Sequence, residues 1–141
     1  MKIRLLIWIA VGAIYASTLV IVALVFHHGD LFFFINLGPP IASSAVPMRM
    51  GYDGQFAYSI GCDLMNATPH LDVPAYRFQR ILYPLMAWLL AFGQAEWVPL
   101  TLVLVNIIGV ALGTGAFAEL LRAEGAPSWT PLLFFAVGAK L

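Results

Sequence analysis

Leu5 to Phe26 is a run of 22 residues without one charged side chain, and it constrains this chain more than any other feature. Coiled as an α-helix at 1.5 Å per residue it reaches about 33 Å, which matches the roughly 30 Å hydrocarbon core of a bilayer. A second run, Val98 to Leu121, extends over 24 residues and is interrupted only by Thr101, Asn106, Thr114 and Glu119. It too is long enough to span. The rest of the composition agrees, with 62% of residues hydrophobic, 10% charged and a mean hydropathy of +0.90, well above a soluble globular domain. Seven basic and seven acidic residues cancel, so no basic field exists to attract nucleic acid. The single cysteine, Cys62, excludes an internal disulfide and a multi-cysteine zinc site and reads as a filler residue.

Charge placement orients the spans. Lys2 and Arg4 precede the first run, which keeps the N-terminus in the cytoplasm by the positive-inside rule. A cleaved signal peptide would carry a shorter apolar region, and the first small-residue site, Ala42-Ser43-Ser44-Ala45, lies far downstream, so the run reads as a retained anchor. Ile81 to Phe92 is apolar but only 12 residues long, about 18 Å as a helix, and contains Pro84. Such a length suits an interfacial helix. If it stays at the outer surface, the second span returns to the cytoplasm and Arg122 joins Lys2 and Arg4 there. If it crossed, Arg77, Arg80 and Arg122 would all flank spans externally, against the rule. Ala126-Pro127-Ser128 followed by Pro131 resembles a helix start, and residues 131–141 read as the start of a third span. The expected fold is therefore an all-α integral membrane protein: a first span over 5–26, an extracytoplasmic loop over 27–80, an interfacial helix over 81–92 and a second span over 98–121. Gly109, Gly113 and Gly115 offer the second span a small-residue face for close helix packing.

The outer loop, His27 to Arg80, holds Asp30, Asp53, Asp63 and Asp72 with Arg49, Arg77 and Arg80. Gly38-Pro39-Pro40 and Pro47 break its first half. From Gln55 to Met65, Phe56, Ile60 and Leu64 recur at four-residue spacing, a short amphipathic helix that follows Asp53-Gly54. Asp53 is then either an N-cap, favoured by the helix dipole, or a carboxylate with a task, with Tyr52 and Gln55 adding hydrogen-bonding groups and Gly51 and Gly54 leaving the backbone open. Pro74-Ala75-Tyr76-Arg77-Phe78-Gln79-Arg80 opens the apolar helix, with Arg77 and Arg80 at i,i+3. Two guanidinium forks at the water boundary suit a phosphate; they equally suit head-group anchoring beside Tyr76, Tyr83 and Trp88. Asp63, His70 and Asp72 have ligand chemistry without diagnostic spacing, and His27-His28 point in different directions on a helix. No phosphate-cradling glycine loop, nucleophile elbow or zinc-helix motif occurs.

Gly51-Tyr52-Asp53-Gly54-Gln55-Phe56-Ala57-Tyr58-Ser59-Ile60 and Leu71-Asp72-Val73-Pro74-Ala75-Tyr76-Arg77-Phe78-Gln79-Arg80-Ile81-Leu82-Tyr83-Pro84 resemble the first-loop signature of the GT-C superfamily of membrane glycosyltransferases, in particular its bacterial, mannosyltransferase-like members. The resemblance covers the N-terminal portion of such an enzyme. It implies transfer of a sugar from a polyprenyl-phosphate donor to an extracytoplasmic acceptor, in the bacterial inner membrane. Asp53 becomes the candidate general base and the candidate ligand of a divalent cation, Mg or Mn. Tyr52, Gln55, Arg77 and Arg80 become candidates for substrate binding, with Arg77 and Arg80 on the donor phosphate. Partners implied are the lipid-linked donor, membrane lipids and the remaining transmembrane helices of a longer protein. Many relatives carry an acidic pair where this chain has Asp53-Gly54, and they have around ten or more spans, so this segment is expected to be inactive alone. The alternative is a small non-enzymatic membrane protein that docks a partner through its outer loop and glycine-lined second span.

Overall fold

A computed structural model describes residues 2–35, 53–133 and 135. Its regular elements are helices: α1 (Lys2–Phe26), α2 (Gly54–Cys62), α3 (Pro74–Phe78), α4 (Leu82–Leu90) and α5 (Val98–Ala123), with single 3-10 turns at Leu31–Phe34, Thr68–His70 and Ala95–Trp97. No strand occurs among the described residues. Gly38-Pro39-Pro40, Pro47, Arg49, Gly51, Tyr52 and most of the expected third span, 131–141, lie outside them.

Ile3–Phe26 and Ala95–Ala123 are long and apolar enough to cross a membrane, their most apolar stretches having mean hydropathies of 2.5 and 2.1. The most apolar stretch of the first is 11% buried and that of the second 33%, which is not how the core helix of a globular protein is placed. Ile3, Ile14, Val25 and Phe26 stand exposed along α1. Each such side chain gains about 1.5–3 kcal/mol when taken out of water, so this surface calls for an apolar surround.

The chain forms two compact units, residues 1–22 with 106–141 and residues 23–105. In the first, α1 and α5 approach closely at glycines. A β-carbon on Gly12 would lie 2.6 Å from Thr114 Oγ1 and 3.0 Å from the Ala111 α-carbon; one on Gly115 would lie 2.6 Å from Ile9 Cγ1. The expected three-glycine face is corrected here. Gly109 and Gly113, four residues apart, share a side that meets none of the described residues within 4 Å, whereas Gly115 lies about 200° further round the helix from Gly113 and packs on α1.

In the second unit, α2 packs on α4 and on the first turns of α5. Ile35, Ala87, Ala91, Val98 and Leu102 form one buried cluster, and Phe56, Ile60, Ala67 and Leu71 form another beneath α2. Gly61 is needed at the crossing, since a β-carbon there would fall 2.9 Å from Val98 Cγ1. Tyr83 Oη donates to the Leu102 carbonyl at 3.2 Å. The predicted helix 55–65 ends earlier, at Cys62, because the Asp63 carboxylate accepts from the Met65 and Asn66 amides and turns the chain. Leu64 still packs on the Phe56 and Ile60 cluster from beyond the helix end.

The predicted apolar helix, 81–92, is Leu82–Leu90, and the basic segment before it is a separate helix, α3. Pro84 accounts for the division. A continuous helix would need its amide to bond the Arg80 carbonyl, but proline has no N–H and its ring crowds that carbonyl. Placed in the first turn of α4, where amides have no intrahelical partner, it costs nothing. At its other end α4 closes through Phe92 and Gly93, both with positive φ, the Gly93 amide bonding the Trp88 carbonyl.

Candidate functional site

Two of the loop's acids sit just before a helix, Asp53 ahead of α2 and Asp72 ahead of α3 with one residue between. Neither caps its helix. Asp53 occupies the N-cap position of α2 in αR geometry with no side-chain bond to the helix amides. Its carboxylate turns instead to the arginines 24 and 27 residues later: Arg77 Nη1 donates to Oδ1 at 2.6 Å and Arg80 Nη1 to Oδ2 at 3.4 Å. Among the two readings of Asp53 from its position, capping is thus not what its side chain does.

Arg77 is held from three directions. Asp72 takes its Nε–H and one Nη2–H side-on, at 2.7 and 2.8 Å, while Asp72 Oδ1 also accepts from the Val73 amide at 2.7 Å. The guanidinium plane lies over the Phe56 ring, 3.9 Å from its centroid, and Phe56 is itself part of the buried cluster under α2. The Arg77 side chain is consequently 13% exposed, against 63% for Arg80. Arg80 leans on Tyr76, donating from Nη2 to Tyr76 Oη at 2.6 Å. The four charges sum to zero.

Electrostatics follow from these bonds. The hydrogen bond from Arg77 holds the Asp72 carboxyl at about 2, below the ordinary carboxylate value, with smaller help from the Val73 amide. Arg77 is shifted upward in turn, first by its bond to Asp72 and then by Asp53, so its proton is fixed. Across the helix, burial pushes the Tyr58 phenol up to about 12 and raises the Cys62 thiol, which leaves neither as a nucleophile near neutral pH.

Of the residues singled out from sequence, Asp53, Arg77 and Arg80 meet in one cluster. Gln55 lies in the first turn of α2, its carbonyl accepting from Ser59 Oγ at 2.9 Å, and Tyr52 lies outside the described residues. Asp72, Phe56 and Tyr76 are parts of the arrangement that sequence reasoning assigned elsewhere: to a loose metal set, to a helix face and to head-group anchoring. For Asp72 a signal did exist, since Asp-Val-Pro marks a helix start in the same way as Asp53-Gly54.

Asp63, His70 and Asp72 do not converge. Asp63 is engaged with Asn66, whose side-chain Nδ2 donates to Oδ2 at 3.0 Å and lowers its titration. His27 stacks on Phe33 at 3.5 Å, and His28 takes a positive φ. Among the described residues no three His, Cys, Asp or Glu side chains lie close enough to hold a metal ion. Nor do the residues around Asp53 fit a divalent cation: both its oxygens face guanidinium groups that would repel one. A separate cleft of about 130 Å³ in the first unit is lined by Arg4, Trp8, Glu119, Arg122 and Pro127 among others, with none of the cluster residues.

The fold and cluster define an all-helical protein with two helices long and apolar enough to cross a membrane, joined by a segment bearing paired arginines and aspartates. No protein-family model, curated protein or solved structure matches this chain.

Proposed function

We propose that this chain is the N-terminal part of a polytopic membrane glycosyltransferase that moves a sugar from a polyprenyl-phosphate donor to an acceptor hydroxyl outside the cytoplasmic membrane. The observation that carries the reading is the convergence of Arg77 and Arg80 on the Asp53 carboxylate, across 24 and 27 residues. An inverting transfer needs just these groups side by side. The acceptor oxygen attacks the anomeric carbon as the bond from that carbon to the phosphate oxygen breaks; the hydroxyl proton passes to the Asp53 carboxylate, and the electron pair leaves with the polyprenyl phosphate. Arg77 and Arg80 stabilise the charge that develops on that phosphate.

α1 and α5 cross the bilayer in opposite directions in this reading. Arg4 at the start of α1 and Arg122 at the end of α5 line the same cleft, which supports placing both on one side of the membrane, the cytoplasmic side by the positive-inside rule. α4, nine residues long, lies at the outer interface.

The test is Asp53→Asn in the intact protein, with transfer of labelled sugar from a polyprenyl-phosphate donor as the readout. Loss of transfer with unchanged membrane insertion is expected; full activity would remove Asp53 from the mechanism. The open Gly109 and Gly113 side of α5 favours a second reading, a non-enzymatic protein that docks a membrane partner there. Crosslinking from Gly109→Cys to a separate polypeptide, with no sugar transfer by the wild type, would favour it.

A further inference from the structure

We infer that Asp53 is a latch on the phosphate site: its carboxylate accepts from Arg77 Nη1 and Arg80 Nη1, and the donor phosphate takes its place on these groups, freeing the carboxylate for the acceptor hydroxyl. This rests on the proposed glycosyltransferase reading and concerns how its site is switched on.

The arrangement of donors carries the inference. A guanidinium offers five N–H groups in a rigid fork. Asp72 claims the Nε and Nη2 side of Arg77, and Phe56 covers one face, so the end formed by Nη1 and Nη2 is what remains for a ligand. Asp53 takes an Nη1–H through a single bond, with one longer contact to Arg80. Nothing on its own helix retains it: it makes no cap bond, and its side chain is 59% exposed. Asp72, by contrast, is fastened by its neighbour's amide as well as by two bonds to Arg77. One carboxylate is therefore built to stay and the other to leave.

The exchange is balanced in charge. A phosphodiester carries one negative charge and two free oxygens that match the end of the fork, so it replaces one monoanion by another. Once released from the arginines, the Asp53 carboxylate has its oxygens free to accept the hydrogen bond of the acceptor hydroxyl. As the sugar departs, the phosphate gains negative charge against the same two cations, so the grip strengthens in the transition state. Asp72 is a positioning residue, keeping Arg77 in place while its other partner changes.

Binding of a polyprenyl methyl phosphate, a phosphodiester with no sugar to transfer, to the intact protein in nanodiscs tests this. A carboxylate that closes the site about nine-tenths of the time lowers apparent affinity about tenfold. Asp53→Asn and Asp53→Ser should therefore bind the lipid about tenfold more tightly than wild type, Asp53→Glu should restore wild-type affinity, and Asp72→Asn should bind more weakly. Thermal melting of each variant checks that it is folded. Affinity that is unchanged or weaker in folded Asp53→Asn and Asp53→Ser would overturn the latch; if transfer is also lost in them, the transferase reading stands without it. No binding by the wild type or any variant would overturn both.

Discussion

Arg77 Nη1 lies 2.6 Å from the Asp53 carboxylate, although the two residues are 24 apart in the chain and belong to different helical segments. The contact is possible because α2 presents Phe56 as a seat for the guanidinium plane, one turn after Asp53, while Asp72 fixes its other edge. A cation is thus oriented by a core aromatic ring and an anchored acid, and its Nη1 meets a carboxylate whose other oxygen faces Arg80 at 3.4 Å.

The two arginines should not be equivalent. Arg77→Lys keeps the charge but removes the fork held by Asp72 and Asp53, and under the proposed transferase function it is expected to slow sugar transfer by about 10²-fold, the scale of losing one oriented charge-stabilising donor. Arg80, more exposed and 3.4 Å from Asp53, should tolerate lysine with a loss of less than about tenfold. Initial rates of the intact variants decide the order, and equal losses would contradict it.

Acid should release the Asp72 anchor late. Its folded carboxyl titrates at about 2 against an ordinary value of 3.8, so the pair stabilises the fold above the higher value and loses that contribution as pH falls through the lower. Because Asp72 is exposed, solvent screening keeps the effect below about 1 kcal/mol. The gap in melting temperature between wild type and Asp72→Asn should be constant from neutral pH to about 4 and close by about 2. A gap that widens on acidification would show the sign to be wrong.

Cys62 reports on topology and on burial together. It is the only thiol in the sequence, and burial raises its titration, so a membrane-impermeant maleimide should label intact cells slowly near neutral pH and about tenfold faster per pH unit toward alkaline conditions. Labelling that begins only after lysis would place the segment joining α1 and α5 on the cytoplasmic side.

Glycine substitutions should separate the two sides of α5. Gly115→Val forces contact with Ile9 and Leu5, and Gly12→Leu drives into Thr114 and the Ala111 backbone. Each overpacks the α1 and α5 contact and should cost about 1–3 kcal/mol. Gly109→Leu, in open space, should leave thermal stability in detergent unchanged. Similar losses at Gly109 and Gly115 would mean that the open side is covered too.

The long helices were legible from sequence because a property summed over more than twenty residues needs no knowledge of neighbours. Local signals likewise marked Asp53 as an acid at a helix start, and Arg77 with Arg80 as a basic pair. They did not reveal that α3 and α4 are separate, although Pro84 carries the reason in its missing amide. They also spread Asp72, Phe56 and Tyr76 over three unrelated roles, since each side chain has an ordinary local use.

Sequence by itself determined an all-helical chain, two helices of membrane-spanning length and apolarity, and where the charged residues fall between them. Tertiary structure decided that Asp53 bonds arginines instead of its own helix, that Asp72 joins the cluster through Arg77, and that Gly115 packs on α1 while Gly109 and Gly113 meet none of the described residues. The physical reason is range. Hydropathy and helix length are fixed by consecutive residues, whereas the direction of a charged side chain depends on which opposite charge the packing of α2 and α4 brings within hydrogen-bond reach.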